Sequence, residues 1–179
     1  MKQTQLELLV LSAQNGNRNS LALLYRYFSP KMRQFAMTLV PMGDTDDLVQ
    51  VVWMKVMKRI QRLDEPAVFT SWLYRALRWE AADWHKHPQN KNRSAEDDVG
   101  DLVASEQNAI EEESEVIIAL RQLSIIEQQI VNLHYLNEMS LKEIALSLDV
   151  PVGTAKSRLH RAREALRIVL TTKMEKDNE

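Results

Sequence analysis

Ser140-Leu141-Lys142-Glu143 and, ten residues on, Gly153-Thr154-Ala155-Lys156-Ser157-Arg158-Leu159-His160-Arg161-Ala162-Arg163 decide the fold. The first run is a capping box. Its Ser accepts the amide of the Glu position, and the Glu reaches back to the Ser amide. A short helix to Leu148 is therefore expected. Asp149-Val150-Pro151 is a tight break, and Gly153-Thr154 opens a longer helix to about Leu170. In that helix Val152, Ala155, Leu159, Ala162, Leu166 and Val169 recur at steps of three and four, which makes one apolar stripe. Ala155 and Ala162 are small and permit a close helix approach. A short capped helix, a three-residue break and a longer basic helix have the layout of a DNA-binding helix-turn-helix.

The residues off the stripe give this layout its chemistry. At about 100° per residue, Thr154, Ser157, His160 and Arg161 point broadly away from the seam. Arg158 lies near one edge; Lys156, Arg163 and Arg167 flank the other. An exposed Arg can read guanine O6 and N7, and a Ser or His can reach a base edge or a phosphate. Flanking cations neutralise phosphates and set position without reading sequence. Thr154, Ser157, Arg158 and Arg161 are therefore the base-reading candidates. Lys156, His160, Arg163 and Arg167 are the phosphate candidates. An ordinary helical hairpin with a basic solvent face is the rival reading.

Upstream, the pattern stays helical. A second capping box, Ser124-Ile125-Ile126-Glu127, starts a helix to about Tyr135 or Leu136. Ser105 caps an acidic-fronted helix ending near Leu123. In the first half, Leu6 to Ala13 and Leu21 to Phe28 read as helices, and Ser29-Pro30 as the start of another, running to Val40. Asp44 caps a helix with Leu48, Val52, Val56 and Ile60 on one side. Leu63-Asp64-Glu65-Pro66 breaks it, and a further helix runs to Trp84. From His85 to Ala104 the periodicity fails, and Pro88, Asn90, Asn92, Asp97, Asp98 and Gly100 mark a polar linker. The expected units are 1–86 and 105–179, joined by a flexible segment at 87–104.

The chain has 179 residues, no Cys, 4 Gly and 5 Pro. Disulfides, thiolate chemistry and cysteine zinc sites are excluded, and a turn-dense β fold is not expected. No apolar run is long enough for a membrane span, and the start does not read as a signal peptide, so a cytoplasmic chain is expected. Net charge is -2, but it is strongly partitioned. Residues 1–93 carry 14 basic and 8 acidic side chains, residues 94–115 carry 9 acidic and no basic ones, and residues 116–179 carry 9 and 8. An acidic total is therefore compatible with nucleic-acid-facing surfaces at both ends. The carboxylates and histidines form no nucleophile constellation, and Asp83-x-His85-x-His87 is a poor metal pattern. No catalytic residue, metal or cofactor is expected.

Taken together, these stretches resemble a bacterial RNA polymerase sigma factor of the extracytoplasmic-function (ECF) group of the sigma-70 family. Gly153 to Arg163 after Glu143-Ile144-Ala145 is similar to the promoter-reading C-terminal domain. Asp47-Leu48-Val49-Gln50, with Trp53 and Lys55, resembles the helix that grips the polymerase clamp. Phe69-Thr70-Ser71-Trp72-Leu73-Tyr74-Arg75-Ala76-Leu77 resembles the helix leading to the promoter-melting face. Val51 stands where many members carry Glu, and Glu80 and Asp83 interrupt a normally basic end.

The resemblance implies an all-α fold of two small helical domains, a sigma region 2 bundle and a sigma region 4 helix-turn-helix, joined by a flexible linker. It implies docking at the -35 element by the last helix. It implies core polymerase binding by Asp47, Gln50, Trp53 and Lys55. Contacts to the -10 region would come from Arg62, Phe69, Arg75 and Arg78, with a flipped base taken by the loop from Arg62 to Phe69. Trp72 reads as core rather than as a stacking surface. Core RNA polymerase, promoter DNA and an anti-sigma factor are the implied partners. Two other readings stay open at this point: a helix-turn-helix repressor or activator working without polymerase, and a sigma mimic that binds a regulator.

Overall fold

In a computed structural model, which describes residues 1–87 and 119–176, every regular element among the described residues is helical. The front half contains α1 (Gln3–Gln14), α2 (Arg18–Ala36), α3 (Thr45–Arg59) and α4 (Phe69–Lys86). The rear half contains α5 (Ile125–Val131), α6 (Leu141–Leu148) and α7 (Val152–Lys176), with a helical turn at 119–121 before them. The linker at 87–104, apart from His87, and nearly all of the helix expected from Ser105 lie outside the described residues.

Gly16, at φ +85°, turns the chain out of α1, and the Asn17 side chain then caps α2 by accepting the Asn19 and Ser20 amides at 2.9 and 3.1 Å. Pro30 does not start a new helix as the sequence suggests, because α2 runs through it and ends at Ala36, short of Val40. An interior proline costs a helix about 3 kcal/mol. Leu24, Phe28, Met32 and Phe35 sit on both sides of Pro30 and are all buried, so the core they share holds the two segments as one rod. The expected stripe of Leu48, Val52 and Val56 in α3, with Ile60 just past its end, is buried, joined by Val49 and Trp53. The Gln14 side chain clasps the turn after α3, donating to the carbonyls of Ile60 and Leu63 at 2.9 and 2.7 Å.

Both capping boxes form. The Ser124 amide and hydroxyl meet the Glu127 carboxylate at 3.0 and 2.6 Å. Their counterparts in Ser140 meet Glu143 at 2.8 and 2.7 Å, and the Glu143 amide returns to the Ser140 hydroxyl at 3.3 Å. The helix begun at Ser124 widens to a π turn over Asn132–Leu136, closed by the Asn137 amide on the Asn132 carbonyl at 3.2 Å. Asp149 ends α6 in the left-handed region, at φ 57° and ψ 47°. With no Gly or Pro beyond Gly153, α7 continues past Leu170 to Lys176.

The two halves touch. Helix α4 packs on α6 more extensively than any other helix pair, and the π turn rests on α2. One buried cluster runs from Leu6 and Phe35 through Leu77 to Ile130, Ile144 and Leu159. A second, smaller cluster of Leu123, Val131 and Ala162 joins α5 to α7.

Candidate nucleic-acid interface

The seam of α7 determines which of its side chains reach solvent. Ala155, Leu159 and Ala162 are buried against α5 and α6, and Leu166 is partly so. Val152 departs from the expected stripe. It is 46% exposed, because it begins the helix before the seam meets its neighbours. Off the seam, Lys156, Ser157, His160, Arg161 and Arg163 are exposed, while Thr154 and Arg158 are half-buried. The Ser157 hydroxyl turns back to the Thr154 carbonyl at 3.0 Å. An exposed basic face on a rigid helix is the geometry that direct base readout needs.

Local bonds sort these side chains further. Hydrogen bonding from Ser124 holds the Glu127 carboxyl on α5 below the usual carboxylate range. Burial opposes this, and the positive charges of Arg161 and Arg158 add to it. Arg158 and Arg161 thus place positive charge toward the first turn of α5. Arg163 is anchored differently. Its Nε donates to the Tyr135 hydroxyl at 2.7 Å, and its Nη2 lies 3.1 Å from His134 Nε2. His134 Nδ1 lies 3.1 Å from the Met139 carbonyl, which can only accept, so Nδ1 carries the proton and Nε2 accepts from Arg163. Arg167 donates to Glu164 at 3.1 and 3.3 Å. Such an exposed pair is weak and exchanges readily for a phosphate.

In the front half, the exposed residues of α3 include Asp46, Asp47, Gln50, Met54 and Met57. Asp46 pairs with Arg33, and Lys55 pairs with Glu80 of α4. Glu80 is therefore engaged within the bundle. Asp83 likewise pairs with Lys86 at 2.8 Å. These two carboxylates, which interrupt the basic end of α4 in sequence, are thus largely matched by local cations. His85 Nε2 lies 2.8 Å from the Leu39 carbonyl, which accounts for one member of the Asp-x-His-x-His run. Among the described residues no cluster of three or more His, Asp or Glu side chains could hold a metal ion.

Two candidates fall elsewhere than the sequence reading puts them. Trp53 is only 2% exposed and packs its ring 5.3 Å from that of Tyr25. It shapes α3 from inside and does not present a contact surface. Phe69 is wholly buried, edge-on to Phe28 at 5.6 Å. It anchors the start of α4 and is not open to a base. Both are large and apolar, and the core claims them. Trp72 is partly buried against the same core, as expected. The exposed aromatic on α4 is Trp79, with the Arg75 guanidinium 4.7 Å from its ring centre. Arg62 is exposed in the turn Ile60–Arg62.

Arg75 and Arg78 lie on one side of α4, facing the rear half. Arg75 Nη2 is 3.5 Å from Asp149, and Arg78 Nη1 donates to the Ser147 carbonyl at 3.1 Å. The sequence reading missed Tyr135, Ser147 and Asp149. Tyr135 is a large exposed aromatic beside the basic helix, a signal that could have found it. Ser147 and Asp149 acquire meaning only from partners on α4.

Comparison with known proteins agrees with this architecture. The family model for sigma-70 region 2 matches residues 24–90, and that for sigma-70 region 4 matches residues 115–166. The chain is similar to the ECF RNA polymerase sigma-E factor of Escherichia coli K12, with 28% identity over 174 residues, spanning 89% of this chain and 91% of that one. It is similar to the sigma-E factor of Haemophilus influenzae at 29% identity, spanning 88% and 91%. Among solved structures it resembles the sigma factor RpoE of Bartonella quintana, crystallised with the anti-sigma factor NepR. The TM-score is 0.61 at 26% identity, covering 84% of this chain and 96% of that one. It shares the fold of CnrH, solved with the cytosolic domain of CnrY, at a TM-score of 0.61 or better: 0.65 at 22% identity, covering 93% and 97%. The two matched regions, the all-helical bundle and the capped helix-turn-helix place the chain in the sigma-70 family, in its extracytoplasmic-function group, whose work is to bind core RNA polymerase and recognise promoters.

Proposed function

We propose that this chain is an alternative sigma factor that directs core polymerase to promoters through -35 and -10 elements and promotes melting. The observation that carries the reading is the exposed basic face of α7, set on a buried seam behind two formed capping boxes. In this reading α7 enters the major groove. Arg161 and Arg158 read base edges with Thr154 and Ser157 beside them, and Lys156, His160, Arg163 and Arg167 hold phosphates. Asp47 and Gln50 on the exposed side of α3 meet the polymerase clamp. Arg62, Arg75 and Arg78 hold the displaced strand, while Phe69 and Trp53 position their helices from the core.

Melting opposes stacking of about 1.4 kcal/mol per base-pair step. Capture of an extruded base offsets part of that, since stacking on an aromatic face contributes about 1–3 kcal/mol. Trp79 is the exposed α4 aromatic suited to it. The working compartment is the cytoplasm, where promoter and polymerase are. An anti-sigma factor is the expected regulator, because the Bartonella quintana relative was solved with one.

A run-off transcription assay with core polymerase tests the proposal. Specific initiation should require the chain. Tight binding of the free chain to a palindromic duplex, with no polymerase-dependent transcription, would replace this reading with that of a repressor.

A further inference from the structure

The segment that joins α3 to α4 is built from two tight turns, Ile60–Arg62 and Pro66–Val68, with Leu63, Asp64 and Glu65 between them. Leu63 and Glu65 are extended, at φ -82°, ψ 105° and φ -120°, ψ 103°. Pro66 helps to set the second, because the residue before a proline avoids the helical region. Each turn closes on itself. The Leu63 amide returns to the Ile60 carbonyl at 3.2 Å, and the Val68 amide to the Glu65 carbonyl at 3.1 Å. Neither bond spans the three residues between, and Asp64 and Glu65 are exposed. Turn geometry alone therefore leaves the angle of this bridge open.

Helix α1 supplies what the turns lack. It packs along both of them. Gln3 and Gln14 stand three helical turns apart, about 16 Å along the face that also buries Leu6, Val10 and Ala13. Gln14 Nε2 donates to the Ile60 carbonyl at 2.9 Å and to the Leu63 carbonyl at 2.7 Å. Carbonyl oxygens only accept, so the amide must turn its nitrogen to them and commits both hydrogens. Gln14 is partly buried, which shields these bonds from water. At the far end Gln3 Nε2 donates to the Ala67 carbonyl at 3.1 Å, and Glu7 one turn on steadies it at 3.0 Å. One rigid helix thus holds the bridge from both sides.

We propose that Gln14, with Gln3 in support, is a positioning residue for -10 recognition: α1 sets the geometry in which the bridge from Leu63 to Glu65 meets an unpaired base. The inference rests on the proposed reading, in which the loop from Arg62 to Phe69 takes an extruded base, and adds α1 to that site. Recognition needs its partners held within about 0.5 Å, which an unbraced three-residue bridge does not provide.

The test uses the full chain, which has no native cysteine and takes a nitroxide at Asp64→Cys. Gln14→Glu is isosteric but has no hydrogen to give, and Gln14→Met keeps the length without a donor. Each should shorten the rotational correlation time of the label at least twofold. Gln14→Lys, which restores a donor, should not. Holoenzyme made with unlabelled chains carrying native Asp64 then selects from a fork-junction DNA library randomised over the -35 duplex and the single-stranded -10 stretch. The unmodified chain should enrich one base at least tenfold at an unpaired position. Gln14→Glu and Gln14→Met should cut that enrichment at least threefold and leave the -35 enrichment within twofold, and Gln14→Lys should keep both. Unchanged label motion in the two donor-less variants, unchanged -10 enrichment, or an equal loss at both elements overturns the positioning role. Enrichment at neither element by the unmodified holoenzyme sinks the sigma reading itself and takes the inference with it.

Discussion

Arg163 and Tyr135 hold each other in two ways: Nε donates to the hydroxyl at 2.7 Å, and the guanidinium lies 5.6 Å from the ring centre. The pair fixes a cation on α7 from the π turn that precedes α6. If Arg163 contacts a phosphate, Tyr135 preorganises it. Tyr135→Phe keeps the ring under the cation and removes a hydrogen bond to a charged group, worth about 1.5–3 kcal/mol at most. Solvent exposure reduces that, so promoter duplex binding should weaken about threefold to tenfold, by the same factor on cognate and scrambled -35 sequences. Arg163→Ala should lower the salt slope of binding by about one unit. Fluorescence anisotropy across a salt series checks both. A sequence-selective loss in Tyr135→Phe would mean that the pair reads bases.

Arg161 is exposed on the face away from the seam, whereas Lys156 flanks it. A bidentate Arg–guanine contact discriminates by about 1–3 kcal/mol, and a phosphate contact does not discriminate at all. Arg161→Ala should therefore reduce the ratio of cognate to scrambled affinity roughly fivefold or more. Lys156→Ala should weaken both alike. Arg158→Ala should follow Arg161, with the smaller effect expected of a half-buried side chain that has less reach. Competition binding at fixed salt gives the ratios. An unchanged ratio in both Arg variants would remove base reading from this face.

The helix-turn-helix is the most legible part of the sequence, because its determinants are local. Two Ser-x-x-Glu boxes, a Pro in the break and a three–four stripe each act within a few residues. What fails to show is set by distant partners. Pro30 reads as a helix start until the shared core of Phe28 and Met32 carries α2 through it. Trp53 and Phe69 have the composition of contact residues, and only tertiary packing shows that they are enclosed. Ser147 and Asp149 look like ordinary turn residues. Their partners Arg78 and Arg75 lie 69 and 74 residues away in sequence, beyond any periodicity argument. The π turn over Asn132–Leu136 has no marker in the run that precedes it.

Glu127 links the stability of the rear half to pH. The Ser124 bonds hold its folded pKa below the unfolded value of about 4.3, with burial opposing and the two arginines assisting. Its contribution is therefore present above that unfolded value and is lost as pH falls through the lower folded one. Thermal melts between pH 5 and pH 3 should show the unmodified chain losing stability more steeply than Glu127→Gln, which has no carboxylate to protonate. Parallel slopes for the two proteins would show that the capping carboxylate contributes no pH dependence.

The last expectation separates the two roles on α3. Trp53 is enclosed, and cutting an enclosed Trp to Ala costs about 3–5 kcal/mol through lost burial and the cavity left behind. At the lower end of a typical stability of about 5–15 kcal/mol, that is enough to unfold a sizeable fraction of the chain. Trp53→Ala should lower the urea midpoint sharply and lose polymerase binding only in proportion to the folded protein lost. Asp47→Ala and Gln50→Ala alter exposed positions, where substitutions usually change stability by less than about 0.5 kcal/mol. They should leave the urea midpoint in place and still weaken capture by core polymerase. Urea titration and a core-polymerase pull-down, run on the same preparations, distinguish the cases. If Asp47→Ala and Gln50→Ala bind polymerase as well as the unmodified chain, the exposed side of α3 is not the clamp-facing surface.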